Sequence, residues 1–357
     1  MNTVMNNTFY NGTKLLSMRD INGDKPDLYL CTTNRSGGKT TYFSRYLVNR
    51  FLKHGEKFAL LYRYNYELDS VAEQFFKDIS RLFFPNYLMY SAKRSKGIYH
   101  ELYIGENNGD NTHYMPCGYA ISINSADQIK KRGHFFSDVS RILFDEFQSE
   151  TNHYCDREIE KFISIHTSIA RGKGEHARYV PVIMLSNTVS LINPYYIELG
   201  IAERLKADTK FLRGNGFVLE QGYIDSASKA QKESGFNRAF ANNKYVAYSS
   251  ENVYLNDSHS FIEKPIGKSR YLGTLKYKGN EYGIREYPEQ GYLYCDDRID
   301  NSFTYKIAIT TADHDINYVM LKKNEFFLNN MRYYFEHGCF RFKDLKCKEA
   351  LLKAISY

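Results

Sequence analysis

At 357 residues, 43% hydrophobic and 25% charged, the chain has room for about two domains and a sizeable core, and its composition excludes disordered and low-complexity architectures. The formal net charge of +7 is spread without a run of lysine or arginine long enough to act as a tail, so a phosphate-rich partner is compatible with it but not demanded by it. Cys31, Cys117, Cys155, Cys295, Cys339 and Cys347 lie far apart without a C-x-x-C pair, which argues against a zinc site and a disulfide framework.

Residues 1–24 are polar, lack a basic segment followed by an apolar core, and carry a short helical patch around Lys14–Met18 that is placed to fold back over a nucleotide base. No apolar run approaches the length of a membrane span, so a soluble, intracellular protein is expected. After Pro26, residues Asp27–Tyr46 read DLYLCTTNRSGGKTTYFSRY. The start is apolar and β-favouring, the centre is small and glycine-bearing, and the pattern turns helical from Lys39.

Strand, loop and helix N-terminus in that order form an anion-binding concavity of backbone N–H groups, reinforced by the helix dipole. On the pattern G-x-x-x-x-G-K-[ST], Asn34, Arg35, Ser36, Gly37 and Gly38 form a phosphate loop and Thr41 follows in the first turn. Lys39 then reaches the β- and γ-phosphates of a nucleotide and Thr40 holds Mg2+. Thr33 stands where the first glycine is expected, which keeps open a nucleotide-binding scaffold that does not hydrolyse. A glycine-bearing turn with no ligand and a solvated Lys39 is the plainer alternative.

A helix follows over Thr40–Leu52, ending at Gly55. Phe58–Tyr62 reads as a strand buried on both faces, with Arg63 at its end. Glu67–Phe84 is amphipathic and helical. Short alternating runs at Tyr87–Tyr90, Glu101–Ile104 and Tyr119–Ile123 suggest a small antiparallel insertion, and Gln128–His134 a basic loop. Arg141–Glu146, RILFDE, is a short apolar strand ending in two carboxylates. Phosphoryl transfer needs an acid on the Mg2+ shell and a group that orients water, and Asp145 and Glu146 suit those two roles. Alone, such a pair is more often a solvated turn.

Glu158–Ala170 is helical and ends in the basic Arg171, Gly172, Lys173 and Gly174. Val182–Leu185 is a strand closing in Ser186, Asn187 and Thr188. Strands alternating with helices predict an α/β domain with a mainly parallel sheet, and Thr33, Asp145 and Asn187 fall at the strand ends where such sheets bind ligands. Residues 201–245 read as a helical linker. From about 258 a β-meander is expected, with strands at Phe261–Glu263, Arg270–Tyr277, Glu281–Tyr287 and Gly291–Tyr294, then a helix over Leu321–Phe335 and a basic C-terminal segment. The division is an ATPase domain over 1–200, the linker, and a smaller α+β domain over 246–357.

With these residues in place, the chain resembles the DNA encapsidation ATPases of phi29-like podoviruses. The likeness runs through FYNGTKLLS (Phe9–Ser17), the loop T-N-R-S-G-G-K-T, YRYNYEL (Tyr62–Leu68), DVSRILFDEF (Asp138–Phe147), MLSNTVSLINPYY (Met184–Tyr196) and, thinly, FIEK (Phe261–Lys264). It implies a P-loop NTPase of the ASCE class, with helices on both faces of the sheet, and an RNase H-like second domain. It also implies a homo-oligomeric ring motor, expected to be a pentamer, that uses ATP and Mg2+ to pump double-stranded DNA through the portal of an empty capsid. A packaging RNA is a further partner. Such a protein works in the host cytoplasm, transiently at the portal vertex, with no membrane role.

By position, the resemblance assigns Lys39 and Thr40 to the phosphate loop, Asp145 to the metal, Glu146 to catalysis and Arg171 to a trans-acting arginine finger. Arg178 stays a rival for the last. Ser186 and Asn187 fit a sensor of the γ-phosphate, with a helix-capping pair as the alternative. Arg35 is placed to touch phosphate or a neighbouring subunit. Lys130, Lys131 and Arg132 are candidates for DNA phosphates, as are Lys93, Arg94 and Lys96, although charge runs are usually solvated faces. In the second domain Arg270–Tyr277 carries no acid, and Asp296, Asp297 and Asp300 share one turn. A nuclease-inactive module is therefore expected, with a terminase bearing a working nuclease as the alternative.

Overall fold

The computed structural model describes residues 9–69, 71–151, 153–171, 176–191, 193–201, 204–205, 209–241, 243–251, 261–321 and 326–355. Two compact units divide the chain, Met1–Asn256 and Asp257–Tyr357.

The first unit begins with α1 (Thr13–Ser17), β1 (Leu28–Thr33), α2 (Lys39–His54), β2 (Lys57–Tyr62) and α3 (Val71–Phe83). It continues with β3 (Tyr87–Arg94), β4 (Tyr99–Glu106), β5 (Tyr114–Ser122), α4 (Ala126–Lys130), β6 (Val139–Asp145), α5 (Glu158–Ala170), β7 (Val182–Asn187) and α6 (Pro194–Glu198). β8 (Phe211–Gly214), β9 (Phe217–Gln221), α7 (Asp225–Glu233), α8 (Gly235–Ala239) and α9 (Lys244–Glu251) complete it.

One nine-stranded sheet, in the order β3-β4-β5-β2-β6-β7-β1-β9-β8, organises these elements. The run from β5 to β9 is parallel throughout, and the pairs β3-β4, β4-β5 and β8-β9 at its two sides are antiparallel. Successive strand side chains point to opposite faces, so the continuous apolar runs feed two cores. Leu30, Ile142, Phe144, Val182 and Met184 meet Phe162, Ile165 and Ile169 of α5 on one side. Tyr29, Cys31, Leu60, Leu143, Ile183 and Leu185 meet Phe43, Leu47 and Phe51 of α2 on the other. α2 stops where Gly55 adopts φ 69 and its N–H bonds the Phe51 carbonyl, a left-handed cap.

Phe43, on the first turns of α2, is fully buried, its ring 5.7 Å from Tyr10 and 5.1 Å from Tyr42. Phe43→Ala is expected to destabilise the unit by about 3–5 kcal/mol, read as a lowered urea midpoint at unchanged m-value.

The expected antiparallel insertion forms as β3-β4-β5, and it joins the main sheet because β5 pairs in parallel with β2, Phe58 opposite Gly118. Two expectations are corrected. Segment 201–245 is not a helical linker, because 211–221 forms a hairpin whose β9 pairs in parallel with β1, Leu30 opposite Leu219. Apolar Phe217, Val218 and Leu219 fill the two cores, and among the described residues of the segment the helices lie from Asp225 onward. The basic Gln128–His134 segment starts in α4 and is not a plain loop.

The second unit comprises β10 (Arg270–Tyr277), β11 (Asn280–Tyr287), β12 (Tyr292–Asp296), β13 (Lys306–Ala308), β14 (Val319–Met320), α10 (Phe326–Glu336), β15 (Phe340–Phe342) and α11 (Leu345–Ile355). The expected meander is β10-β11-β12, turned at Lys278 and Gly279, both with positive φ. The sheet order is β14-β13-β10-β11-β12-β15, with the outer strands in parallel pairing. Phe261–Glu263 contributes a single bridge, Ile262 to Phe342, in place of a strand. Residues 322–325 of the expected last helix lie outside the described residues, and α10 is described from Phe326.

Candidate active site

The loop between β1 and α2 takes its shape from two left-handed residues, Ser36 at φ 59 and Gly38 at φ 89. Thr33 is not one of them: it closes β1, buried, with its hydroxyl donating to the Asn34 carbonyl at 2.9 Å. The missing first glycine therefore removes no conformation that this loop uses. Gly37 is needed for space, since a Cβ there would lie 2.9 Å from Ile224 Cγ1. Asn34 anchors the loop by accepting from the Ile224 N–H at 2.9 Å and donating to the Ile224 carbonyl at 3.2 Å.

Lys39, on the first turn of α2, is buried, and its Nζ donates to Asn187 Oδ1 at the end of β7 at 2.7 Å. Burial pushes the ammonium's pKa down, and the nearby Asp145 partly offsets this. Thr40 Oγ1 donates to Asp145 Oδ2 at the end of β6 at 2.7 Å. A hydroxyl and one carboxylate at that spacing suit Mg2+, a hard cation that keeps waters and phosphate oxygens as its other ligands. Among the described residues no group of three His, Cys, Asp or Glu side chains is placed to hold a metal by itself. Thr41 lines the adjoining cleft of about 500 Å³ with Thr40, Asp145 and Glu146.

Glu146 turns out of β6 at φ 56, and its own N–H bonds Asp145 Oδ1 at 2.9 Å. Glu146 also lines a second cavity of about 550 Å³ that reaches Arg35, Ser186 and Asn187, within the range of small-molecule sites. Desolvation, then the charges of Asp145 and Glu150, push the Glu146 carboxyl's pKa up. A carboxylate so placed can orient and deprotonate a water in front of the loop.

Ser186 is buried, and its hydroxyl donates to the Asn187 carbonyl at 2.8 Å. The capping alternative for this pair does not hold, because Asn193 caps α6 by accepting from the Tyr196 N–H at 2.9 Å. Arg35 ion-pairs with Glu150 at 3.4 Å and its guanidinium donates to the Tyr245 hydroxyl. Tyr248 on the same helix donates to Glu150 at 2.7 Å. Glu150, Tyr245 and Tyr248 carried no sequence signal of these contacts. Each is set in place by a pairing across many residues of chain, which local pattern does not encode.

The two arginines considered for a finger differ. Arg178 is spent on this chain's backbone, donating to the Val139 carbonyl at 3.2 Å and the Ile169 carbonyl at 2.8 Å. Arg171 is exposed at the C-terminal end of α5, and residues 172–175, including Gly172, Lys173 and Gly174, lie outside the described residues. Lys130 and Lys131 are exposed, whereas Arg132 donates to the Gln128 carbonyl at 3.0 Å. Lys93 pairs with Asp69 at 2.7 Å and Arg94 with Glu101 at 2.9 Å, so both carry counter-charges.

In the second unit, Asp296 pairs with Arg285 at 3.2 Å, Asp297 with Lys343, and Asp300 accepts from the Ser302 N–H at 3.0 Å. These carboxylates are each engaged locally and do not converge.

Residues 4–355 match the podovirus DNA encapsidation protein (Gp16) family. The chain is 27% identical to the DNA packaging protein of Bacillus phage PZA over 338 residues, covering 94% of this chain and 93% of that relative. The DNA packaging protein of Bacillus phage phi29 gives the same 27% over 338 residues, with the same 94% and 93% coverage. Among solved structures, the bacteriophage phi-29 viral genome packaging motor assembly aligns at TM-score 0.68 and 25% identity over 98% of both chains. The phi-28 DNA packaging motor shares the fold at TM-score 0.59 and 17% identity, over 98% of this chain and 99% of that one.

Proposed function

The chain belongs to the podovirus DNA encapsidation protein family, and from that premise we propose that it is the ATPase of a genome-packaging motor, translocating double-stranded DNA through the portal of a preformed capsid. The observation that carries the ATPase reading is the meeting of Lys39 with Asn187 and of Thr40 with Asp145, at the carboxyl ends of the adjacent strands β6, β7 and β1. ATP supplies the transferable phosphoryl group when bound, and Mg2+ spreads its charge. The loop N–H groups from Asn34 to Gly38 hold phosphate oxygens, and Lys39 exchanges its bond to Asn187 for phosphate. Asn187, with Ser186 behind it, then senses whether Lys39 is engaged. Glu146 takes the proton of the attacking water.

Arg171 acts in trans, so the working form is a ring of this chain, a pentamer in our reading, seated at the portal, with a packaging RNA as a further partner. The second unit acts as an RNase H-like binding module without cleavage, since Asp296, Asp297 and Asp300 are engaged by Arg285, Lys343 and Ser302. The scaffold alternative loses its motive once the left-handed loop positions are Ser36 and Gly38. The test is steady-state ATP hydrolysis by the full chain with double-stranded DNA, alongside a nicking assay in Mg2+ and Mn2+. Hydrolysis without nicking is expected; nicking would support a working nuclease, and absent hydrolysis with DNA and portal present would return the scaffold.

DNA contact is to the backbone and therefore steeply salt-dependent. Lys130 and Lys131 are exposed lysines at the end of α4 and in the turn after it. Replacing both by Ala is expected to weaken binding evenly across sequences and to reduce the slope of log affinity against log salt by about 1 per lysine, measured by fluorescence anisotropy. An unchanged slope removes this segment from the DNA path.

A further inference from the structure

We propose that Arg63 is a positioning residue for hydrolysis: locked by Glu158, it fixes the backbone turn that aims the Glu146 carboxylate. This role rests on the ATPase reading of the site.

Arg63 follows β2, whose neighbour in the sheet is β6, so the topology sets it beside the turn that leaves Asp145. The residue is 8% exposed, and its guanidinium holds two different things at once. On one side Nε and Nη2 grip the Glu158 carboxylate at 2.9 and 3.1 Å. On the other, Nη2 donates to the Phe147 carbonyl at 2.9 Å and Nη1 to the Glu146 carbonyl at 3.4 Å. Glu158 is itself fixed, accepting from the Tyr195 hydroxyl at 2.8 Å and from the Cys155 N–H at 2.8 Å. Rings of Phe144 and Tyr154 lie 5.6 and 5.0 Å from the guanidinium carbon.

The turn needs such a hold. Glu146 sits at φ 56, a left-handed conformation that is unfavourable for a residue with a Cβ and persists only when its surroundings over-determine it. The Phe147 N–H bonds the Leu185 carbonyl of β7 at 3.1 Å, and Gln148 Oε1 accepts from the Val189 and Ser190 N–H groups at 3.2 and 2.9 Å. Those bonds tie the far side of the turn to β7 and the Val189–Ser190 segment beyond it, and Arg63 ties the near side to β2. A stabilising role alone does not explain this arrangement, because a buried ion pair is often replaceable by apolar residues at no loss. What apolar residues cannot supply is two in-plane donors to consecutive carbonyls, which is a property of the planar guanidinium.

Arg63→Lys separates positioning from folding, since it keeps a cation against Glu158 but loses the fork. Expected is a fall in single-turnover ATP hydrolysis of about 10²-fold, the scale associated with a misplaced catalytic group, at unchanged nucleotide affinity. In a Glu146→Gln background the same substitution is expected to have no further effect, because groups acting through one step are not additive. Multiplying losses in that background, or wild-type hydrolysis by a folded Arg63→Lys variant, would overturn the assignment. If Arg63→Lys does not melt cooperatively, Glu158→Gln, which keeps the shape and removes the counter-charge, takes its place under the same criteria. Wild-type turnover unaltered by Glu146→Gln would instead defeat the ATPase site assignment, leaving the two failures distinct.

Discussion

Glu146→Gln is expected to lower ATP turnover by about 10²–10⁴-fold, the contribution of a positioned general base, while leaving nucleotide binding within a few-fold of wild type. The separation comes from where the bonds lie. In the proposed site, binding belongs to the loop, whose shape is set by Ser36 and Gly38 and whose anchor is Asn34 to Ile224, and Glu146 takes no part in either. Asp145, the proposed Mg2+ ligand, is also untouched, because it meets Thr40 through Oδ2 and receives the Glu146 N–H, a backbone group, through Oδ1. Glutamine has the same length and keeps the same left-handed backbone, so the loss reports proton transfer and not geometry. Single-turnover hydrolysis and equilibrium binding of a fluorescent ATP analogue, measured on the same preparation, check both halves. If turnover survives, Glu150, which faces the same cavity, becomes the next carboxylate to replace.

How far the sequence led depended on whether a feature was local. Asp27–Tyr46 and Arg141–Glu146 were legible because each puts its whole message in a few consecutive residues: an apolar run, then small or acidic residues at a strand end. Both became what they predict, β1 with α2 and β6. Hairpin 211–221 was legible in principle, since Arg213-Gly214-Asn215-Gly216 between two apolar runs is a turn signal, but the Lys, Ala and Ser composition beyond it suggested helix for the entire segment. The short parallel strands β13, β14 and β15, of three, two and three residues, are too brief to show a period. Arg63 is the clearest case of the other kind. At the end of an apolar strand it carries no pattern of its own, and only the pairing of β2 with β6 brings it within reach of the Glu146 turn.

Arg171→Ala is expected to cost about 10³–10⁵-fold in turnover, the range for arginines that stabilise transition-state charge on a transferring phosphoryl group, again with nucleotide binding retained. Its rival is disfavoured on bonding: Arg178 would have to give up the Val139 and Ile169 carbonyls, at 3.2 and 2.8 Å, before reaching a neighbour. Arg171 is exposed at the end of α5, the helix whose first residue, Glu158, holds Arg63. On the proposed assignment, α5 therefore begins at the carboxylate that holds Arg63 and ends beside the arginine a neighbouring chain would receive, so one helix relates the two sites. An equal mixture of Glu146→Gln and Arg171→Ala proteins tests the trans arrangement directly. A site works only where a subunit with intact Glu146 meets a neighbour with intact Arg171, so random mixing restores about a quarter of the interfaces in a closed ring. Recovery toward that level, from two preparations that are each inactive alone, requires that the arginine comes from a different subunit than the glutamate. A mixture that stays inactive while Arg171→Ala alone is inactive would place the arginine in its own subunit's site, and the need for a ring would then have to come from DNA and not from chemistry.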